Sequence, residues 1–141
     1  DRLLDEGHLD EIIMVPVPEG TIHIDGLLMF VSGSLAVGYK PDLEMYPSTI
    51  FRRGQAPEYA WLPDYLDKNG FDLFEVTEQE MNQGCVNYVA VSPLKAVGYD
   101  KAVRISAEIE KRGGETLSVP SEQLFRGNAG PHCMTCPILK N

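Results

Sequence analysis

The sequence predicts an α/β fold built of repeated modules, and two observations carry that prediction. From Phe71 onward the chain reads strand, hairpin, helix, strand, and then a glycine-rich loop into a cysteine. The stretch from Glu11 to Lys68 opens the same way, with a strand, a hairpin and a helix-like segment. Two loosely similar units point to repeated modules, approximately residues 10–70 and 71–141, rather than to a doubly wound sheet.

Each element has its own justification. Arg2 to Leu9 reads as the last turn of a helix stopped by Gly7, with Leu3, Leu4 and Leu9 as core residues. Glu11 to Val17 is a β-branched strand closed by Pro18-Glu19-Gly20. Thr21 to Val31 alternates as a strand, turns at Ser32-Gly33-Ser34 and returns through Leu35 to Tyr39. Pro41 to Gly54 is irregular and carries the Arg52-Arg53 pair, expected to be a solvated loop. Pro57 to Lys68 has helical spacing of Tyr59, Leu62 and Leu66, with Pro63 expected to break or kink it. Trp61, Tyr59 and Tyr65 are expected to pack against the sheet.

In the second unit, Phe71 to Thr77 is a strand and Gly84 to Ser92 leads into another. Lys95 to Tyr99 pairs with it after a turn at Pro93. Ala102 to Lys111 is an amphipathic helix, with Ala102, Ile105 and Ile109 at spacings of three and four, and it ends at Gly113-Gly114. Glu115 to Val119 is the last strand.

Composition narrows the function classes. With 141 residues, 43% hydrophobic and 23% charged, the chain has the make-up of one soluble domain or part of a larger one. A formal net charge of -9 argues against a nucleic-acid partner and is compatible with a cationic small molecule. No apolar run approaches the roughly 20 residues that span a bilayer, and the charged N-terminus is unlike a signal peptide. A cytoplasmic protein without membrane contact is the default expectation. Three cysteines leave an odd one out of any disulfide scheme, so at least one free thiol is expected. Cys85, at the head of a strand, reads as a small buried residue, and His8 as a surface residue.

Two short stretches carry titratable chemistry. His23 and Asp25 stand at i and i+2 of an apolar strand, so both would point to one face, either as a functional pair or as a hydrogen-bonded pair at an exposed edge. Near the other end, Gly127 and Gly130 bracket a loop able to adopt positive φ and to bring backbone N–H groups near a ligand, leading into His132-Cys133-Met134-Thr135-Cys136-Pro137. A nucleophilic cysteine needs its thiolate favoured by a positive neighbour or by a partner acid and base. His132 is adjacent, but neighbouring residues usually point apart, which makes His23 the better proton-transfer candidate. Three other readings stay open. Cys133 and Cys136 have the spacing of a redox pair, although no long helix follows. His132, Cys133 and Cys136 are zinc-ligand types, although no second cluster completes four ligands. Cys133 could also be a buried apolar side chain.

Taken together, Thr21 to Asp25 and Gly130 to Pro137 resemble the arginine deiminase and amidinotransferase superfamily of guanidino-group-modifying enzymes, which includes dimethylarginine dimethylaminohydrolase. Its members carry a His-x-Asp strand and a glycine-rich loop into a cysteine near the C-terminus. Asn87 to Pro93 is similar to the N-x-L-x-L-x-P strand that precedes the last module in that family. The resemblance runs from Glu11 to Leu139.

It implies a five-bladed α/β propeller of ββαβ modules, the pentein fold, of which this chain would supply the C-terminal part. The N-terminal half, with an Asp and a Glu that bind the guanidinium, would be a partner, and this chain alone is expected to be inactive. A homo-oligomer is left open. The implied activity is hydrolysis of a guanidino compound, such as arginine to citrulline and ammonia, with no metal and no organic cofactor. Cys133 is implied as the nucleophile, His23 as general acid and then base, and Asp25 as a guanidinium acceptor. Gly130 is implied to help hold the tetrahedral intermediate. Many arginine deiminases have an Arg where this chain has Asn128, so either Arg126 compensates or the substrate is not free arginine. Amidino transfer, dimethylarginine hydrolysis and a non-catalytic assembly role are the alternatives.

Overall fold

The computed structural model describes residues 2–136. In chain order the elements are α1 (Arg2–Asp5), β1 (Glu11–Met14), β2 (Leu28–Phe30), β3 (Leu35–Gly38), α2 (Lys40–Leu43), β4 (Ser48–Arg52), β5 (Glu58–Ala60), α3 (Leu62–Lys68), β6 (Asp72–Glu75), α4 (Glu78–Asn82), β7 (Val89–Ser92), β8 (Lys95–Tyr99), α5 (Val103–Lys111) and β9 (Glu115–Val119). They form three small sheets, in the orders β1-β4-β5, β2-β3-β6 and β7-β8-β9. The result is a mixed α/β arrangement.

The second and third sheets share one plan. A hairpin is antiparallel, β2 with β3 and β7 with β8, and a helical crossover returns a third strand parallel to the middle one. Val31-Ser32 and Ala36-Val37-Gly38-Tyr39 recur at a constant offset as Val91-Ser92 and Ala96-Val97-Gly98-Tyr99. That repeated hairpin is the sequence signal behind the shared plan, and it escapes a reading that looks only for periodicity. The strand Asp72–Glu75, which opens the second unit when the sequence is read linearly, pairs with β3 of the first.

Burial follows the strand period. Leu35 and Val37 face one core with Val76, Val86, Tyr88, Ile105 and Ile109, while Ala36 faces another with Leu28, Leu43, Leu62 and Leu66. β3 is buried along its whole length and therefore belongs to both cores. Helix α5 contributes Ile105 and Ile109 at 0% exposure, as its amphipathic spacing requires.

Several local expectations are corrected. Thr21 to Val31 is not one strand: residues 21–23 are irregular, Ile24–Gly26 is a 3-10 turn, and only Leu28–Phe30 pairs. Gly26 N–H donates to the His23 carbonyl and Leu27 N–H to that of Ile24, closing the turn before any ladder can form. Pro63 does not break its helix but lies in the first turn of α3, where its missing N–H is not needed. Tyr59, 70% exposed, lies in β5, and Trp61, 45% exposed, caps α3, so both rings are largely open to solvent. The Tyr65 hydroxyl donates to Glu11.

Arg52 and Arg53 are not a free loop pair. Arg52 in β4 pairs with Glu11 and Glu58, each at 2.6 Å, and Arg53 Nε donates to the Leu4 carbonyl at 2.6 Å. Helix α4 opens on a capping box, Thr77-Glu78-Gln79-Glu80: Thr77 Oγ1 accepts from Glu80 N–H, and the Glu80 carboxylate accepts from Thr77 N–H at 2.8 Å. Among the described residues, no helix is long and apolar enough to cross a membrane.

Candidate active site

Three segments meet at a cavity of about 480 Å³: the 3-10 turn before β2, the entry to β7, and the cysteine loop after β9. His23, Asp25, Asn87, Asn128, Gly130 and Cys133 all line it. Residues more than a hundred positions apart thus share one wall.

The cysteine loop owes its shape to turns. A 3-10 turn at Leu124–Gly127 ends at Asn128, which takes the left-handed φ of 55°, a conformation Asn tolerates better than most residues. The sequence offered Gly127 and Gly130 for that role, but neither has a left-handed φ. Pro131 to Met134 then forms a turn, closed by Met134 N–H donating to the Gly130 carbonyl at 3.1 Å and Thr135 N–H to that of His132 at 3.0 Å. From below, Tyr99 of β8 donates its hydroxyl to the Ala129 carbonyl at 2.6 Å.

This turn overturns one sequence argument. Neighbours point apart on a strand, but on a tight turn they need not, and His132 and Cys133 reach the same carboxylate oxygen. His132 Nδ1 lies 2.8 Å from Asp25 Oδ2, and the Cys133 thiol donates to that oxygen at 3.1 Å. His132 is therefore a site residue that sequence reasoning set aside. His23 lines the cavity at its exposed rim, and its ring makes no hydrogen bond to the described residues, which leaves it open to a ligand. Its expected partnership with Asp25 across one strand face does not form, because Asp25 is in the 3-10 turn.

Burial works to raise the Asp25 carboxyl pKa, but hydrogen bonds from Cys133, His132 and Asn87, with the His132 charge, outweigh it and hold the group below its ordinary value. Asp25 is thus a carboxylate at neutral pH. Cys85 differs: it is fully buried, and burial pushes its thiol up to about 11, so it stays protonated and inert. The three cysteines are free, and Cys133 and Cys136 are exposed, which removes the buried reading of Cys133. Among the described residues no group of three or more His, Cys, Asp or Glu is placed to hold a metal ion. Arg126 is exposed and is not among the cavity-lining residues, whereas Asn128 is. Pro137, the last residue of the cysteine motif, lies outside the described residues.

The family model for arginine deiminase matches residues 8–140. The chain belongs to the arginine deiminase family. Within the family it is similar to an arginine deiminase of Listeria welshimeri, 31% identical over 144 residues that cover 94% of this chain and 33% of the relative. It is also similar to one of Rhodococcus erythropolis, 24% identical, covering 99% of this chain and 38% of the relative. The chain therefore spans about a third of the length of these curated relatives. Among solved structures, the fold of this family member is similar to the N-terminal domain of ArgZ, an arginine dihydrolase from the ornithine-ammonia cycle in cyanobacteria. The TM-score is 0.64 at 12% identity, over 91% of this chain and 41% of that one. AgrE, solved with ornithine and NAD+, is similar at a TM-score of 0.63 and 10% identity, over 86% of this chain and 16% of that one. At such identities the likeness is one of fold.

Proposed function

We propose that this chain carries the nucleophile half of a cysteine-dependent hydrolase acting on a guanidino compound. The observation that supports it most is the shared carboxylate: an exposed thiol and an imidazole converge on Asp25 at the wall of a cavity whose rim bears a second, unbonded histidine. The Asp25 carboxylate on the wall of an open cavity suits a planar guanidinium, whose N–H fork fits a carboxylate.

The chemistry runs in two halves. The Cys133 thiol proton passes to His23, leaving a thiolate beside an imidazolium. The sulfur pair attacks the guanidinium carbon and forms a C–S bond, and His23 returns the proton to one nitrogen as its C–N bond breaks. Ammonia or an amine leaves, and an amidino-thioether remains on Cys133. His23 then takes a proton from water, the hydroxide adds to the same carbon, and the C–S bond breaks as the added hydroxyl gives its proton to solvent, releasing a ureido product, while His23 returns its own proton to the departing sulfur. Asp25 accepts N–H bonds from the guanidinium and steadies the positive charge. The scheme needs no metal or organic cofactor.

The chain is proposed to act as the C-terminal part of a five-bladed α/β propeller, with its first module closing at β6. The fraction of the relatives' length that it covers supports this, and the remaining modules would complete the guanidinium site. Asn128 on the cavity wall, with Arg126 off it, favours a second reading of the substrate as a guanidino compound other than free arginine. Amidino transfer to an amine would use the same covalent intermediate.

Mass-spectrometric mapping with a haloacetamidine tests the reading. Labelling of Cys133 but not of Cys136 or Cys85, blocked by arginine or a related guanidine, is expected. In the assembled enzyme, Cys133→Ala and His23→Ala should each abolish turnover. Equal labelling of Cys133 and Cys136, or none, would overturn it.

A further inference from the structure

Asn87 has no part in the scheme above, yet its side chain is the most heavily engaged polar group at the site. It is 4% exposed, on the segment entering β7. Its Oδ1 accepts the Cys133 backbone N–H at 3.1 Å. Its Nδ2 donates to Cys133 Sγ at 3.1 Å and to the Asp25 backbone carbonyl at 3.2 Å. A primary amide has two N–H donors and a carbonyl acceptor, and here all are directed at the two other segments that build the site.

The loop is shaped around this side chain. A Cβ on Gly130 would stand 2.4 Å from both Cβ and Oδ1 of Asn87, closer than real carbon contacts come. Gly130 is thus required for close approach, not for a left-handed backbone.

We infer that Asn87 is a positioning residue for Cys133: it fixes the sulfur beside the Asp25 carboxylate and keeps an N–H donor on it as the S–H proton leaves. The inference rests on Cys133 being the reactive thiol and deepens that reading. The physical reason is an asymmetry. The thiol donates to Asp25, and that bond disappears with the proton, leaving a sulfur anion facing a carboxylate. The Asn87 N–H survives the change and strengthens, because donors to a charged acceptor form stronger bonds than donors to a neutral one. Asp25, His132, His23 and Tyr99 are the other titratable groups around the site, and a change at residue 87 alters the chemistry of none of them.

Asn87→Asp is the sharp test, because it keeps the shape and the acceptor for Cys133 N–H but replaces the N–H donors with a second carboxylate. Iodoacetamide, which is neutral and carries no amidine, reports thiolate at each cysteine of the 141-residue chain by mass spectrometry across pH. Labelling of Cys133 in Asn87→Asp is expected to fall about tenfold at pH 7, with its profile moved to higher pH, while exposed Cys136 is unchanged. Asn87→Ala should move the same way by less, and Gly130→Ala should follow it. An unmoved Cys133 profile in folded Asn87→Asp and Asn87→Ala would overturn the inference.

Wild-type protein supplies a check that needs no variant. The side-chain amide resonances of Asn87 should titrate with the midpoint of Cys133 labelling, and amide signals that stay fixed while Cys133 ionises would overturn it equally. Failure of the guanidino reading shows instead as loss of amidine selectivity, with these iodoacetamide profiles intact.

Discussion

In the β2-β3-β6 sheet, Ala36-Val37-Gly38-Tyr39 runs along and just past the middle strand β3; in the β7-β8-β9 sheet, Ala96-Val97-Gly98-Tyr99 runs along the middle strand β8. The hairpins match, yet the surroundings differ. Gly38 faces the flexible end of Leu43, and an added Cβ would lie 2.9 Å from its Cδ1 and 3.0 Å from the Leu27 carbonyl oxygen. Gly98 faces the ring of Tyr88, fully buried and hydrogen-bonded to Ser106 at 2.9 Å, and the same Cβ would lie 2.2 Å from it. Tyr39 has no such duty as Tyr99, which holds the cysteine loop. One scaffold has been used twice: the first copy delivers the charged group of the site, Asp25, and the second delivers its neutral clamp, Asn87, and anchors the cysteine loop.

If that division holds, the largest effect should come from neutralising the first copy's contribution. Asp25→Asn keeps the shape but removes the charge that His132 and Cys133 share, and turnover of the assembled enzyme should fall by about a hundredfold or more. The same variant has a pH signature. The folded-state pKa of Asp25 is depressed, so its ionised form stabilises the native protein above the usual carboxylate value of 3.8, and that contribution is lost as pH falls through the lower folded value. Melts of wild type and Asp25→Asn should therefore converge as the pH falls through and below the usual carboxylate value. Curves that stay parallel would show that the carboxylate is not held by its neighbours.

The paired glycines come next. Gly98→Ala should lose about 3 kcal/mol and Gly38→Ala about 1 kcal/mol in denaturant unfolding, because a packed ring cannot yield whereas the end of Leu43 can. Equal losses would mean that the two hairpins are packed alike.

The smallest effect is local. Tyr99→Phe removes the bond to Ala129, worth about 1 kcal/mol, and should speed amide exchange across residues 121–136 while global melting barely moves. Tyr39→Phe should leave that loop untouched. A loop unaffected by Tyr99→Phe would break the claim that the second copy anchors it.

Much of this was legible before any coordinates. Lys95–Tyr99 and Glu115–Val119 fall where alternation and turns put them, and the core face of α5 follows from Ile105 and Ile109. Regular elements obey local rules, so a local reading finds them. The misses fall where two local signals compete. Thr21 to Val31 has the apolar alternation of a strand, but Asp25-Gly26 turns it, and the ladder begins only at Leu28. Asn87 was visible only as the first residue of a motif.

The sequence alone thus determined the α/β class, the family, and the residue types that a guanidino chemistry would need. Only the tertiary structure decided which of them meet. Asp25, Asn87 and Cys133 lie far apart along the chain, and their distances of 3.1 Å depend on turn geometry and on the bare Cα of Gly130. Periodicity reports which face a side chain takes within its own element. It carries no information about which element lies opposite, because that is settled by close packing between segments joined only through the folded chain.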